Sequence, residues 1–256
     1  MTEPDHVSGN NHFLTGGAAY AAARPSYTTA LVDALADRVA RHDVALDVGC
    51  GSGQLSVLLA NRFATVIATD PSAEQLRSAV AHPAVTYLQE PAEQISQPDR
   101  SVDLITAAQA AHWFDLDAFY QQVRRVGRPG AILALISYGV PVMTGPVGQR
   151  LHRFYWQDIY SFWPEGRRHV ELGYQSLAFP FAEQPFPDLL IERTLTREQL
   201  LDYVETWSAT KYARAAGQQV LLERFVEDLN QLWPDPKVPQ DINWPIVGRI
   251  GPVHSD

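Results

Sequence analysis

The most chemically loaded residues of the chain fall in one short run, Asp47-Val48-Gly49-Cys50-Gly51-Ser52-Gly53. Glycines at alternate positions let a backbone turn sharply and pass close to a ligand, because glycine tolerates left-handed torsions and carries no Cβ. The run follows the apolar segment Val44–Val48 and precedes Gln54–Arg62, which has helical character. A helix N-terminus after such a turn offers free N–H groups and the positive end of a dipole, which suits a ligand bearing a carboxylate. Asp70, 23 residues after Asp47, ends the next apolar run and is placed to accept both hydroxyls of a ribose. Dinucleotide sites share this plan, with the fingerprint G-x-G-x-x-G. Here the glycines give G-x-G-x-G, and Gln54 stands next. With no pyrophosphate to hold, a smaller nucleoside with a charged tail fits better.

Bulk properties limit the partners. The chain has 256 residues, a formal charge of -9 and 46% hydrophobic residues, enough to bury a full α/β core. An acidic surface repels phosphate backbones, so nucleic acid is not an expected partner. Cys50 is the one cysteine, which excludes an internal disulfide and makes a cytoplasmic location the default. Residues 1–12 are polar and show no basic segment followed by an apolar run, so no secretory signal is expected. The longest apolar stretch, Ala131–Ser137, is far too short to span a bilayer, and no membrane partner is expected. No cluster of His, Cys and carboxylates has metal-ligand spacing, so no metal is expected.

Periodicity supplies the elements that position the run. A helix is predicted within 27–42, with apolar Leu31, Leu35 and Val39 on one face, and strands over Val44–Val48, Val66–Thr69, Val85–Leu88, Val102–Ala107 and Ala131–Ser137. Between them come helices over Gln54–Arg62, after Asp70-Pro71-Ser72, and over Leu116–Val126, with a turn at Gly127–Gly130. Short apolar strands alternating with helices imply a parallel sheet covered on both faces. Residues 140–185 are dense in aromatics and predict a helical insertion. A sixth strand over 189–195, a helix opening at Thr196-Arg197-Glu198-Gln199, a helix over 218–232 and a last strand over Ile242–Ile250 follow. Pro245 within that strand favours an edge or a bulge.

The motifs resemble those of class I S-adenosylmethionine (SAM)-dependent methyltransferases. Asp47–Gln54 matches their motif I, Asp70-Pro71-Ser72 their acidic motif II loop, and Pro91-Ala92-Glu93 an Ala-Glu pair that contacts adenine. Phe13, Tyr20, Arg24, Pro25 and Tyr27 match a segment that precedes motif I in many small-molecule members, and Gln109–Asp115 matches A-x-H-W-F-D after strand four. Trp163–Arg168, Tyr174, Phe179-Pro180-Phe181, Thr206-Trp207-Ser208 and Tyr212 resemble the trans-aconitate methyltransferase-like subgroup. The resemblance implies one domain over 1–256 with a Rossmann-like, mostly parallel seven-stranded sheet and helices on both faces. It also implies an N-terminal lid at about 10–27 and a helical cap after strand five at about 140–187.

It implies SAM as cofactor and S-adenosylhomocysteine as product. Asp47 would lie beneath the methionine amine, Gly49, Gly51, Gly53 and Gln54 would form the loop, Asp70 and Pro71 would hold the ribose, and Ala92 and Glu93 the adenine. Gln109 would offer its carbonyl to the methionine ammonium, Arg24 would pair with the carboxylate, and Phe13 and Tyr20 would close the lid. His112 is the one histidine suited to act as a base, or it orients the substrate. Trp113, Tyr138, Trp163 and Tyr174 would line the acceptor pocket, aromatic faces attracting a sulfonium, with Arg167 and Arg168 able to clamp a carboxylate. The expected reaction is in-line methyl transfer, in a dry pocket, to a small molecule: O-methylation of a carboxylate or of a natural-product intermediate. Cyclisation of the SAM aminobutyl arm with release of methylthioadenosine, C- or N-methylation in a natural-product pathway, and a binding module without catalysis are the alternatives. The expected assembly is a monomer or homodimer.

Overall fold

The computed structural model describes residues 24–254, so the expectations for Phe13 and Tyr20 lie outside the described residues. The chain forms two compact units: one takes Pro25–Thr144, Glu165–Thr194 and the segment from Asp241 on, and the other takes Gly145–Pro164 and Leu195–Gln240 together with Arg24.

The first unit holds a seven-stranded sheet. Its elements in chain order are α1 (Thr29–Ala36), β1 (Val44–Val48), α2 (Gln54–Leu59), β2 (Thr65–Thr69), α3 (Ala73–Arg77), β3 (Val85–Leu88), β4 (Val102–Ala108), α4 (Leu116–Val126) and β5 (Gly127–Tyr138). The strands order as β3-β2-β1-β4-β5-β7-β6, with β6 at Leu189–Leu195 and β7 at Gln240–Pro252. Every pairing from β3 across to β5 is parallel, and β7 runs antiparallel to β5 from Ile132↔Pro252 to Tyr138↔Ile246. Val102–Ala107 is buried throughout, because helices cover a parallel sheet on both faces. α4 shows how local signals start a helix: Asp115 caps it by accepting from the Ala118 N–H, and Phe119, Tyr120, Val123 and Val126 form its buried stripe.

Two strand expectations need correction. Gly127–Gly130 is not a turn; β5 begins at Gly127, which pairs with Val102, and a register shift follows before Leu104↔Ile132. The departure accompanies a buried charge: Asp103 accepts the N–H groups of Asp43 and Val44 at 3.0 and 2.9 Å on one oxygen and pairs with Arg128 at 2.7 Å on the other. Nor does Pro245 mark an edge, since β7 lies between β5 and β6. Pro245 stands one residue past the Tyr138↔Ile246 pair, where its carbonyl accepts from Gly139 N–H at 2.8 Å, and the bridge Val142↔Asn243 resumes beyond it. Its missing N–H therefore falls in an interruption of the ladder.

The second unit is helical: α5 (Gly145–Arg153), a π-turn (Phe154–Asp158), α7 (Arg197–Glu205), α8 (Ser208–Ala215) and α9 (Val220–Leu232), with the short α6 (Arg167–Glu171) belonging to the sheet unit. Thr196 and Gln199 close a capping box at the start of α7. Sequence density predicts a contiguous cap over about 140–187; the structure instead joins 145–164 to 195–240. The reason is aromatic packing. Phe154 stacks on Phe225 at 4.2 Å, and Tyr155 and Trp163 pack on Trp207 at 5.4 and 5.7 Å. Phe179 and Phe181 pack instead on Tyr120 of α4.

The Asp103 link gives a test of the sheet's assembly. Asp103→Ala leaves two strand-start N–H groups without their acceptor and Arg128 with only its half-exposed partner Asp43 at 3.1 Å, and should lower the unfolding free energy by about 2–3 kcal/mol. Urea unfolding should show a lower midpoint with an unchanged slope; an unchanged midpoint would refute the link.

Candidate cofactor and acceptor site

Sheet order reverses at β1: β2 and β3 lie to one side, β4 and β5 to the other. At such a switch point the loops leaving the strand ends diverge and open a crevice. The loop 49–53 leaves β1, Asp70 follows β2, Ala92 and Glu93 lie between β3 and β4, Gln109 follows β4, and Tyr138 ends β5.

Asp47 anchors this end of the sheet. It is 1% exposed; its Oδ2 accepts from Ser56 Oγ at 2.6 Å and its Oδ1 from Thr106 Oγ1 at 2.8 Å. Burial raises its pKa to about 6, against the lowering pull of those two hydroxyls. Asp70 ties the loops together. Its Oδ2 accepts the Gly51 N–H at 2.9 Å and its Oδ1 the Ser72 N–H at 2.8 Å, while Ser72 itself caps α3. Each Asp70 oxygen keeps a lone pair, so the carboxylate can still accept two hydroxyls.

All three loop glycines have left-handed torsions, but space separates their roles. A Cβ on Gly49 would sit 2.5 Å from Ala110 Cβ, and one on Gly53 2.1 Å from the Tyr87 hydroxyl. A Cβ on Gly51 would meet nothing nearer than 3.8 Å. Close approach to a ligand is thus a property of Gly51, while Gly49 and Gly53 are required by packing within the chain. Gln54 opens α2 behind them. Cys50 is mostly buried, and burial together with Asp47 and Asp70 pushes its thiol far above the usual range, which makes it a packing residue rather than a nucleophile.

Gln109 takes a left-handed φ of 55°, unusual for a side-chain-bearing residue. Its amide reaches Ser137 Oγ at 3.3 Å and the Tyr138 carbonyl at 3.5 Å, and no backbone N–H of the described residues donates to its own carbonyl. Ala92 is buried; Glu93 Oε1 accepts the Asp115 N–H at 2.9 Å, fixing the loop before β4 to the start of α4. Pro71 offers its carbonyl to Gln89 at 3.1 Å.

Next to β5 lies a polar aromatic group. His112 Nδ1 is 3.1 Å from the hydroxyl of fully buried Tyr174, which has φ 64° directly after left-handed Gly173. Left-handed torsions on bulky residues are costly and cluster at functional sites. Trp113 packs against His112 at 4.9 Å and is 70% exposed. Tyr138 is buried, with the ring of Tyr27 at 6.1 Å. Burial, then the charges of Arg167 and His169, draws the His112 pKa down to about 4.

Some expected site residues are arranged differently. Arg167 pairs with Glu171 at 3.9 Å and acts electrostatically on His112, whereas Arg168 is exposed; the two neighbours diverge around α6 and form no clamp. Trp163 belongs to the aromatic core of the helical unit. Arg24 donates to the Thr206 hydroxyl and carbonyl at 3.3 and 3.1 Å within that unit. Ser56, Thr106, Tyr87 and Tyr27 escape a sequence reading of roles, although Tyr27 stands in the R-P-x-Y match. Among the described residues no group of three or more His, Cys, Asp and Glu side chains could hold a metal, and no helix is long and apolar enough to cross a membrane.

A methyltransferase-domain family profile matches residues 46–135, the segment from β1 to β5. A candidate methyltransferase from Dictyostelium discoideum is 32% identical over 87% of this chain and 88% of its own length. The chain belongs to the SAM-dependent methyltransferases. A solved candidate type II methyltransferase from Anaeromyxobacter dehalogenans superposes with TM-score 0.86 at 42% identity, covering 91% of this chain and 99% of that one. A candidate SAM-dependent methyltransferase of Saccharomyces cerevisiae is 24% identical over 86% of this chain and 90% of its own length. The residues of this methyltransferase fit SAM: Gly51 leaves room for close approach, Asp70 retains acceptor capacity, and the Gln109 carbonyl can take an ammonium.

The unequal glycines can be separated by experiment. Gly51→Ala should cost about 1–2 kcal/mol of stability from its torsion alone and lose most S-adenosylhomocysteine affinity by calorimetry. Gly53→Ala should destabilise more, because Tyr87 must also move. Equal unfolding midpoints for the two variants would contradict this division.

Proposed function

We propose that this methyltransferase O-methylates the carboxylate of a small acid, in keeping with the trans-aconitate methyltransferase-like subgroup its later motifs resemble. In this reading Asp70 holds the ribose hydroxyls, Ala92 the adenine and the Gln109 carbonyl the methionine ammonium, with Asp47 supporting them from below. SAM supplies a methyl group on a positively charged sulfur. His112, Trp113, Tyr138 and Tyr174 surround the acceptor.

The observation that carries the choice of acceptor is the setting of His112. It is the base that the motifs offer, yet it is tied to Tyr174 at 3.1 Å beside Arg167 and His169, and its pKa is drawn down to about 4. A phenol, with a pKa near about 10, lies roughly 6 units away, a mismatch of about 8 kcal/mol for proton removal. A carboxylate carries no proton at neutral pH and needs no base.

Incubation with methyl-labelled SAM and a panel of di- and tricarboxylic acids, phenols and amines tests the proposal. Label should enter acids only and be released as methanol by mild alkali, as a methyl ester requires. The rate should be flat from about pH 7 to 9 and fall below about pH 6, as Asp47 beneath the site and then the acceptor carboxylate gain protons. Alkali-stable label in a phenol or amine, with a rate rising through pH 8, would refute it.

A further inference from the structure

Tyr27 lies just before α1, and its hydroxyl oxygen is buried without a hydrogen-bond partner among the described residues. Buried hydroxyls are nearly always paired, so such a group marks a missing partner. No neighbour among the described residues bonds it. Asp47 accepts from Ser56 and Thr106, and the Tyr174 hydroxyl bonds His112. Tyr138, whose ring lies 6.1 Å from that of Tyr27, has its carbonyl engaged by the Gln109 amide. Tyr138 ends β5 and carries both contacts: its ring faces Tyr27 and its carbonyl takes the Gln109 amide at 3.5 Å, so Tyr27 and Gln109 border the same strand end, and Asp47 and Tyr174 also act electrostatically on the Tyr27 hydroxyl.

We propose that the Tyr27 hydroxyl donates a hydrogen bond to the carboxylate of the amino-acid tail of bound SAM. The inference rests on the reading that the Gln109 carbonyl takes the ammonium of that tail. Ammonium and carboxylate share one carbon, so a donor bordering the same strand end as Gln109 is suited to meet the carboxylate. Arg24, the donor that the motifs suggest, donates in this structure to Thr206. Burial and the nearby acidic groups raise the phenol's pKa well above normal, so the hydroxyl keeps its proton at every working pH and serves as a neutral donor. Desolvation strengthens a bond from such a donor to an ionised acceptor.

The test compares wild type with Tyr27→Phe by calorimetry, using S-adenosylhomocysteine and its decarboxylated analogue, which keeps the amine and lacks the carboxylate. Tyr27→Phe should weaken S-adenosylhomocysteine about tenfold and leave the analogue's affinity unchanged. The ligand-free variant should unfold at the same or a higher temperature than wild type, because phenylalanine removes only an unpaired hydroxyl. Equal S-adenosylhomocysteine affinity in the two proteins, equal weakening of both ligands, or a less stable ligand-free variant would each overturn the role of Tyr27. Wild type that binds neither ligand would overturn the placement of SAM itself.

Discussion

The site depends on a carboxylate kept in the core. Asp47 is shut away from water, yet its two oxygens are met by hydroxyls from different elements, Ser56 of α2 and Thr106 of β4. Hydrogen bonds to a charged group contribute about 1.5–3 kcal/mol each, enough to offset much of the burial that lifts its pKa to about 6. The geometric result matters as much as the energy. The end of β1, the first turn of α2 and the neighbouring strand are fixed to one another at the place where strand order reverses. The loop between β1 and α2 therefore leaves the sheet in a set direction, and Gly49 and Cys50 dock their N–H groups on the Thr69 carbonyl at 2.8 and 2.9 Å. Asp70 then ties that loop to the next one through Gly51 and Ser72. Two carboxylates, one sealed and one at the crevice, turn two separate loops and the strand ends beneath them into one support.

The chemistry around His112 complements this support. The β1–β2 side carries acidic groups and backbone donors, while the α6 side brings Arg167 and His169 to bear on a histidine that stays uncharged. Left-handed torsions occur at Gln109, which follows β4, and at Tyr174, which follows α6, and both residues make side-chain hydrogen bonds that hold them there. A third such torsion outside glycine, at exposed Arg100, belongs to the turn before β4 and carries no such role.

What the sequence made legible follows from the range of each interaction. β1, β4 and α4 were readable because a buried parallel strand is a continuous apolar run and because Asp115 caps its own helix. The capping box at Thr196 is equally local. The helical unit was not readable, since Phe154 finds Phe225 and Trp163 finds Trp207 across long stretches of chain, and composition cannot tell which aromatic meets which. The glycine loop was legible as a ligand turn, but not the division of labour within it, because the ring that forbids a side chain at Gly53 is Tyr87, on β3. Tyr27 was visible as a motif match and silent as a function, because an unpaired hydroxyl exists only in three dimensions.

Strand order also has a consequence for how the protein is made. β5 is synthesised early, yet its outer partner is β7, thirteen residues that leave the ribosome after every other element of the sheet and must pass between β5 and β6. Until then the nascent chain carries β5 with an open, strongly apolar edge, the kind of surface on which other chains readily add. A ribosome stalled before Gln240 would therefore hold a protein whose cofactor-side loops are complete and whose sheet is unclosed. Closing the sheet is thus the last step of folding that synthesis permits.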